Sequence, residues 1–252
     1  MPFIGEGCRV GRMLVVGVDG CRGGWCAVSI SDDVTLVDVH PNLKSVWRNH
    51  RNASSILVDI PIGLPDGKNA TRACDEEARK RLPGRSSSVF PVPGRSATRC
   101  RTYEEACLVN QRETGLKVSK QAWYISDKIR QADELLRGDA RARKVVREIH
   151  PELCFWAFND ERPMRFNKTR VEGGLERLEL LRTFQPDIDV LLMKSINSLK
   201  GAGGDDIIDA FAAALTAKLC STSGRWSTIP KEPERDDFGL PIEMVYYSTL
   251  EI

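Results

Sequence analysis

Residues 14–28, LVVGVDGCRGGWCAV, place a carboxylate at the end of an apolar strand. Leu14 to Val18 predict the strand, Asp19 ends it, and a glycine-rich turn leads into a second apolar run. The stretch therefore predicts a β-hairpin. A charge beside the core is costly unless it is paired or hydrogen-bonded. Asp19 is thus either a turn residue, since Asp before Gly suits turns, or a ligand of a cation.

Three further strands follow the pattern of an α/β protein. Residues 33–40, DVTLVDVH, predict the third strand, residues 56–58 predict a fourth that ends at Asp59, and residues 145–149 predict a fifth. The first three strands are joined by tight connections and are expected to be antiparallel. The later strands are reached through helices and are expected to be parallel. The sequence therefore predicts a mixed α/β sheet flanked by helices.

Helical patterns fill most of the remaining chain. Residues 66–140 predict a helical insertion after the fourth strand, and residues 205–220, DDIIDAFAAALTAKLC, predict an apolar final helix. We expect a single domain over residues 13–252. Residues 1–12 show no periodicity and are expected to be an N-terminal extension, because Met13 would make a natural start.

The composition argues against several classes of protein. With 252 residues, of which 41% are hydrophobic and 29% charged, the chain can bury a core and is unlike a disordered one. No apolar stretch predicts a membrane helix or a signal peptide. The eight cysteines include no C-x-x-C pair, which argues against a structural zinc site. We expect a cytoplasmic protein with reduced thiols and no membrane partner.

Five acidic residues occupy positions where a catalytic site is expected: Asp19, Asp59, Glu148, Asp206 and Asp209. The first three stand at the ends of predicted strands, where open α/β sheets bind their ligands. The last two are three residues apart on one face of the final helix. Two charges about 4 Å apart repel by roughly 4 kcal/mol at an effective dielectric of about 20, so such a cluster requires a cation or a shared proton.

The chemistry of these ligands predicts the metal. Carboxylate oxygens without His or Cys suit Mg²⁺ or Mn²⁺. Two such ions would activate water and stabilise the leaving oxygen of a phosphodiester. Each acid also has a structural explanation. Asp19 suits a turn, Asp59 a loop cap and Asp206 a helix cap, and Asp209 gains from the helix dipole. Their joint placement favours the metal site.

Five motifs in order resemble those of a widespread, uncharacterised family of predicted RNase H-like nucleases. They are GVDGCRGGW, VDIPIGLP, RACDEEARKRL with SSVFPVP, EIHPELCF and DDIIDAFAAALTA. The resemblance runs over about residues 14–247. The resemblance implies an RNase H-like fold with a helical insertion after the fourth strand, and nuclease activity. The last motif is also similar to the final helix of Holliday-junction resolvases of that superfamily, where two aspartates three residues apart bind metal.

The resemblance also implies roles for the acids. Asp19, Asp59, Asp206 and Asp209 take the roles of catalytic metal ligands. Glu148 is a further catalytic candidate, although it has no clear counterpart in the resolvases. The sequence thus predicts Mg²⁺ or Mn²⁺ as the cofactor.

Basic residues are in excess between residues 72 and 101, and four of them are predicted to bind substrate. Arg85 and Arg95 lie in a loop rich in Gly, Ser and Pro, where guanidinium groups can grip phosphates. Arg72 and Arg79 belong to one of the motifs that carry the resemblance. The alternative for most of these basic residues is a solvated helix face with a mobile loop. For Arg72 and Arg79, whose helix face also carries Asp75, the alternatives are an ion network and closure over the substrate. His150 is expected to cap the helix that starts at Pro151 rather than to act as a general base.

The leading hypothesis is a Mg²⁺- or Mn²⁺-dependent phosphodiesterase acting on nucleic acid, structured or branched, or on a nucleotide. One alternative is an ATP-dependent phosphotransferase of the actin-like or sugar-kinase type, where a strand, an aspartate and a glycine-rich turn also meet a phosphate. Another is a non-catalytic nucleic-acid or nucleotide binding module. The net charge of +2 argues against tight non-specific binding of nucleic acid. A resolvase would have to be a homodimer, and no segment identifies a dimer face.

Overall fold

The structure is a computed structural model that describes residues 13–32, 34–65 and 70–248. The expected extension, residues 1–12, lies outside the described residues, as do residues 66–69 and 249–252 of the expected domain. The strands are β1 (Leu14–Cys21), β2 (Gly24–Ser31), β3 (Val34–His40), β4 (Ser55–Val58), β5 (Val146–Glu148), β6 (Ser227–Arg235) and β7 (Pro241–Tyr246). The helices are α1 (Leu43–Asn49), α2 (Ala73–Arg81), α3 (Tyr103–Thr114), α4 (Lys120–Tyr124), α5 (Ser126–Gly138), α6 (Ala142–Val145), α7 (Pro151–Phe158), α8 (Val171–Arg182), α9 (Ile188–Ser198) and α10 (Gly204–Ser223).

The main sheet has five strands in the order β3-β2-β1-β4-β5. β1 pairs antiparallel with β2, and β2 pairs antiparallel with β3, whereas β4 runs parallel to both β1 and β5. The predicted α/β class and the predicted mixture of antiparallel and parallel strands are therefore confirmed. Helices α2 to α5 follow β4 in the chain, where the sequence predicts a helical insertion.

Helix α10 packs directly across β1 at the centre of the sheet. The contact is so close that Gly17 has no room for a side chain, because a Cβ atom there would lie 2.1 Å from the backbone nitrogen of Ala214 and 2.2 Å from the carbonyl oxygen of Ala210. Small residues on α10 make this approach possible, and the alanines of residues 210–217 are fully buried. The start of α10 therefore lies beside the end of β1, where Asp19 is located.

Tertiary contacts decide two features outside the main sheet. β7 pairs with β6 in a separate two-stranded sheet rather than extending the main one. Within the predicted insertion, the helical segment is divided at Ile125, so that α4 and α5 are two helices. Among the described residues, no helix is both long enough and apolar enough to cross a membrane.

Candidate functional site

Three secondary-structure elements bring Asp19, Asp59 and Asp209 together. Asp19 lies near the end of β1, and Asp59 directly follows β4. The backbone N–H of Asp59 donates to the carbonyl of Val18 at 2.8 Å, which places the ends of the two strands side by side. Burial raises the pKa of Asp19 well above its ordinary value, and the charges of Asp59 and Asp209 raise it further. The sequence prediction that these acids converge agrees with this placement.

The carboxyl groups of Asp19 and Asp59 lie close enough to influence each other's pKa. Because two negative charges at short range repel, such a pair favours keeping a proton on one of its members. Burial raises the pKa of Asp59, and the positive charges of His150 and Lys168 oppose that rise. The carboxylate of Asp19 also accepts the backbone N–H of Gly20 at 2.7 Å, so the turn role considered for Asp19 is present as well. The pair therefore holds less negative charge than two free carboxylates would.

Lys168 supplies positive charge to the cluster, and the sequence pattern does not point to it. Its ammonium group donates to the Asp209 carboxylate at 2.6 Å. Burial raises the pKa of Asp209 to about 6, against the opposing charge of Lys168. Although desolvation alone would lower the pKa of Lys168, Asp209, Asp19 and Asp59 raise it above its ordinary value. Lys168 comes from an irregular loop, where neither periodicity nor a motif signals its role.

Asp206 lies beside the cluster but is also a helix cap. Its side chain accepts the backbone N–H of Gly203 at 2.8 Å, which completes a capping box at the start of α10. Burial raises the pKa of Asp206, whereas the Gly203 hydrogen bond lowers it. The negative charge of Asp206 contributes to the raised pKa of Asp19. The structural and the functional interpretation of Asp206 are therefore compatible, but its carboxylate is less free than that of Asp209.

Glu152 is a further acid at the site that the sequence analysis did not assign. It lies in the first turn of α7 and is buried, with one oxygen bonded to the guanidinium of Arg177. The other oxygen, Oε2, is buried without a hydrogen-bond partner. The charge of Glu152 raises the pKa values of Asp59 and Asp209. Its position after β5, at the carboxyl edge of the sheet, is the signal that could have identified it.

Arg177 anchors the loop that carries Lys168. This loop, residues 159–170, connects α7 to α8 and is called the Lys168 loop below. Fully buried Arg177 donates to the carbonyl of Phe166 at 3.2 Å and to Glu152. Glu176 accepts the backbone N–H groups of Arg165 at 2.9 Å and of Phe166 at 3.0 Å. These contacts fix the loop on α8 and hold the ammonium of Lys168 near the acids.

Neighbouring glycines of α8 provide a test of this anchoring. A Cβ atom at Gly173 would lie 2.0 Å from the carbonyl oxygen of Asn167, whereas a Cβ atom at Gly174 would meet no atom within 4 Å. We expect Gly173→Ala to displace the loop and to lower the free energy of unfolding by about 1–3 kcal/mol. Gly174→Ala is expected to raise it by about 0.5–1 kcal/mol, because Ala favours the helix. Urea denaturation measures both, and equal effects of the two substitutions would contradict the close contact.

Glu148 belongs to a separate buried ion pair. Its carboxylate accepts Nη2 of Arg72 at 2.6 and 2.7 Å and the backbone N–H of Ile62 at 2.6 Å. Arg72 is only 1% exposed and also lies 3.7 Å from Asp75. Burial alone would lower the pKa of Arg72, but Asp75, Cys74 and Glu148 together raise it well above its ordinary value. Glu148 and Arg72, predicted as a catalytic acid and a substrate ligand, are therefore each other's partners.

Cys74, Asp75 and Glu148 have ligand atoms within 4.8 Å of one another, a spacing that a metal ion could occupy. Arg72 lies within this group, since its Nη2 is 2.9 Å from the sulfur of Cys74 and 2.6 Å from Glu148. The guanidinium is therefore already the cation of this cluster.

The remaining arginines predicted to bind substrate make contacts within the protein. Nε of Arg79 donates to the carbonyl of Val89 at 2.8 Å, and Nη2 of Arg85 donates to the carbonyl of Arg165 at 2.8 Å. Arg95 bonds Asp133 at 3.0 Å and Asp236 at 2.5 Å. Arg85 lines the cavity that contains the acids, whereas Arg79 and Arg95 do not. Sequence alone could not separate these roles, because a guanidinium binds carbonyls and carboxylates as readily as phosphates.

A cavity of about 550 Å³ lies at the acidic residues. Its lining includes Asp19, Asp59, Glu148, Glu152 and Asp206 but not Asp209, and Lys128 and Lys168 add positive charge. His150 also lines the cavity. It occupies the N-cap position of α7, but its side chain makes no capping hydrogen bond and instead contacts the carbonyl of Ser88 at 3.3 Å through Nε2. The prediction that His150 caps α7 is confirmed for its position, and its backbone carbonyl accepts the N–H groups of Leu153 and Cys154, while its imidazole contacts the segment after α2.

Comparison with protein-family models identifies the chain's relatives. Residues 17–235 match the model of the family described as Protein of unknown function (DUF429). The chain belongs to this family. In this DUF429 protein the matched range includes the acidic residues, the Lys168 loop and the buried Arg72–Glu148 pair. Neither the curated proteins nor the solved structures gave a match.

Proposed function

We propose that the protein is a divalent-metal-dependent phosphodiesterase, a nuclease with an RNase H-like site. The observation that carries the proposal is the meeting of Asp19, Asp59 and Asp209, with a lysine ammonium 2.6 Å from Asp209. Asp19 and Asp59 line one cavity, and buried Asp209 lies behind them. Burial and mutual repulsion raise the pKa of Asp19 well above its ordinary value. A fold gains no stability from like charges placed together in this way, so a function that uses them is favoured.

The donor set fits Mg²⁺ or Mn²⁺. Its atoms are carboxylate oxygens from three different elements of the fold, and these hard donors suit hard cations. The cluster already attracts positive charge, because Asp209, Asp19 and Asp59 all raise the pKa of Lys168. The side chain of Lys168 is 42% exposed, so its ammonium can leave Asp209 when a divalent cation binds. Asp19, Asp59 and Asp209 would hold the cation.

A divalent cation would activate water and offset the charge that develops on the phosphate. The protein's own residues supply the rest. Lys168 and Lys128 place ammonium groups at the cavity, where they can bind phosphate oxygens. Asp206 remains beside the cluster as a fourth carboxylate. The strand order β3-β2-β1-β4-β5 and the packing of α10 on β1 support the RNase H-like assignment that the sequence motifs imply.

Calorimetric titration with Mn²⁺ and Mg²⁺ tests the proposal. We expect the wild-type protein to bind Mn²⁺ with a dissociation constant in the micromolar to millimolar range. Asp209→Asn is expected to weaken this binding at least about tenfold, because it removes a buried charged ligand. The measurement should be made near pH 7.5, above the pKa of about 6 for Asp209.

Asp205→Asn is the matched control. Asp205 lies one turn before Asp209 on α10, and its substitution removes the same charge, but Asp205 is exposed whereas Asp209 is buried. It should bind Mn²⁺ as the wild type does. Equal weakening by both substitutions would indicate a general effect of charge. Equal affinity of the wild type and Asp209→Asn would contradict the metal site and favour a binding module without a metal.

A further inference from the structure

One side of the cavity is bounded by the segment of residues 84–90, GRSSSVF, which follows α2. Six of these residues line the cavity together with Asp19 and Asp59: Gly84, Arg85, Ser87, Ser88, Val89 and Phe90. The segment comes from the predicted insertion rather than from the strands that carry the acids. It therefore limits what can reach the acids without changing their chemistry.

Three side-chain contacts hold the 84–90 segment in place. Arg79 donates to the carbonyl of Val89 at 2.8 Å, and the His150 ring contacts the carbonyl of Ser88 at 3.3 Å. Arg85 donates to the carbonyl of Arg165 in the Lys168 loop at 2.8 Å. Because both segments line the same cavity and touch each other, they close it on that side.

The size of the space that remains suits a single nucleotide. A volume of about 550 Å³ lies within the range of roughly 300–1,000 Å³ that is typical of small-molecule sites. A protein that binds a double helix buries roughly 1,000–2,500 Å² of its surface on an open face. The two joined segments stand on one side of the cavity, where they oppose the second strand of a duplex whose phosphate approaches the acids.

The lining of the cavity matches the parts of one nucleotide. Phe90 offers an aromatic ring on which an unpaired base can stack. Lys128 and Lys168 offer ammonium groups to its phosphate, next to the acids proposed to bind the metal. We propose that the site takes a phosphodiester carried by an unpaired nucleotide and excludes one within a double helix. This inference rests on the proposed function and names its substrate class.

Binding measurements test the inference without requiring catalysis. Three fluorescent ligands with phosphorothioate linkages are titrated in Mg²⁺ buffer at constant salt: a dinucleotide, a single-stranded oligonucleotide and a covalently closed duplex without free ends. We expect the oligonucleotide to bind at least about tenfold more tightly than the closed duplex. Equal or tighter binding of the duplex, or no binding of any ligand, would overturn the inference. If the dinucleotide binds as tightly as the oligonucleotide, a dinucleotide makes all the contacts that the site offers. If it binds more weakly, the site also contacts a longer single strand.

Substitutions distinguish two roles of the 84–90 segment, which either closes one side of the cavity or binds phosphate. Arg85→Ala should release the 84–90 segment and raise duplex binding relative to single-strand binding. If Arg85 instead binds phosphate, the affinities for the duplex and for the single strand fall together, and this result overturns the closing role. Phe90→Leu keeps an apolar side chain but removes the ring, so single-strand binding should fall roughly tenfold. Arg101→Ala is the control, because its exposed side chain lies outside the cavity and its loss changes the charge equally.

Hydrolysis of bis(4-nitrophenyl) phosphate distinguishes the two proposals. This small diester requires neither base stacking nor an open groove, so it reports on the metal-dependent reaction alone. Cleavage of the small diester together with preferred binding of the closed duplex would overturn the substrate class and leave the phosphodiesterase proposal in place. Preferred single-strand binding without metal-dependent hydrolysis would overturn the phosphodiesterase proposal and retain the preference for an unpaired nucleotide.

Discussion

Asp19→Asn is expected to lower metal-dependent phosphodiester hydrolysis by at least about a hundredfold and to stabilise the folded protein. The loss of activity follows because the substitution removes a charged ligand at the centre of the cluster, where electrostatic groups have effects of roughly this size. The gain in stability follows because the carboxyl of Asp19 is buried beside Asp59 and Asp209, which raise its pKa. Asn can still accept the backbone N–H of Gly20, so the turn is retained.

Two measurements decide this prediction. Initial rates with a small phosphodiester in Mn²⁺ give the activity, and urea denaturation in EDTA gives the free energy of unfolding without metal. Asp205→Asn serves as the control for charge and should leave both unchanged. A loss of stability in Asp19→Asn would show that the carboxylate serves the fold, and unchanged activity would remove Asp19 from the proposed catalytic site.

Arg72→Met is expected to have the largest effect on stability, lowering the free energy of unfolding by about 3–5 kcal/mol. The substitution keeps an apolar chain of similar length but leaves Glu148 and Asp75 buried without their cation. Adding Glu148→Gln should restore part of the loss, because the amide removes one uncompensated charge. A double-mutant cycle by urea denaturation measures the coupling between the two side chains.

Arg99→Met provides the comparison for a solvent-exposed pair. Arg99 lies 3.2 Å from Glu134, and their side chains are 48% and 53% exposed. Solvent screens such a pair, so the loss should stay below about 1 kcal/mol. If Arg72→Met and Arg99→Met lower the free energy of unfolding by similar amounts, burial does not make the Arg72–Glu148 pair more important for stability than an exposed pair.

The positions of the acids at the ends of strands could be predicted because local sequence patterns define those strands. Apolar runs define β1 and β4, and each run is followed or ended by an aspartate that cannot belong to the core. The spacing of Asp206 and Asp209 identifies one helical face in the same way. The pairing of β1 with β2 and β4 then follows from short and long connections, which is why the mixed sheet could be predicted.

The partners of charged side chains could not be predicted from the same patterns. Lys168 lies in a loop, and its contact with Asp209 spans 41 residues of sequence. Glu148 resembles the strand-end aspartates in position, yet Arg72 binds it across 76 residues. Arg79 and Arg85 donate to carbonyls of the protein. The motif that contains Arg79 and the composition of the loop around Arg85 had favoured substrate binding instead. A charged side chain of several rotatable bonds can reach many partners, so its local sequence does not select one.

The elements that carry Asp19, Asp59 and Asp209 follow from local sequence patterns, since periodicity and chain connections define strands, helices and their order. Which charges meet depends instead on packing between distant segments. The absence of a side chain at Gly17 lets α10 approach β1, and this approach brings Asp209 to Asp19. The folding of the 84–90 segment and the Lys168 loop against each other closes one side of the cavity. Electrostatic interactions depend on distance and burial, and both arise from packing between residues that are far apart in the chain.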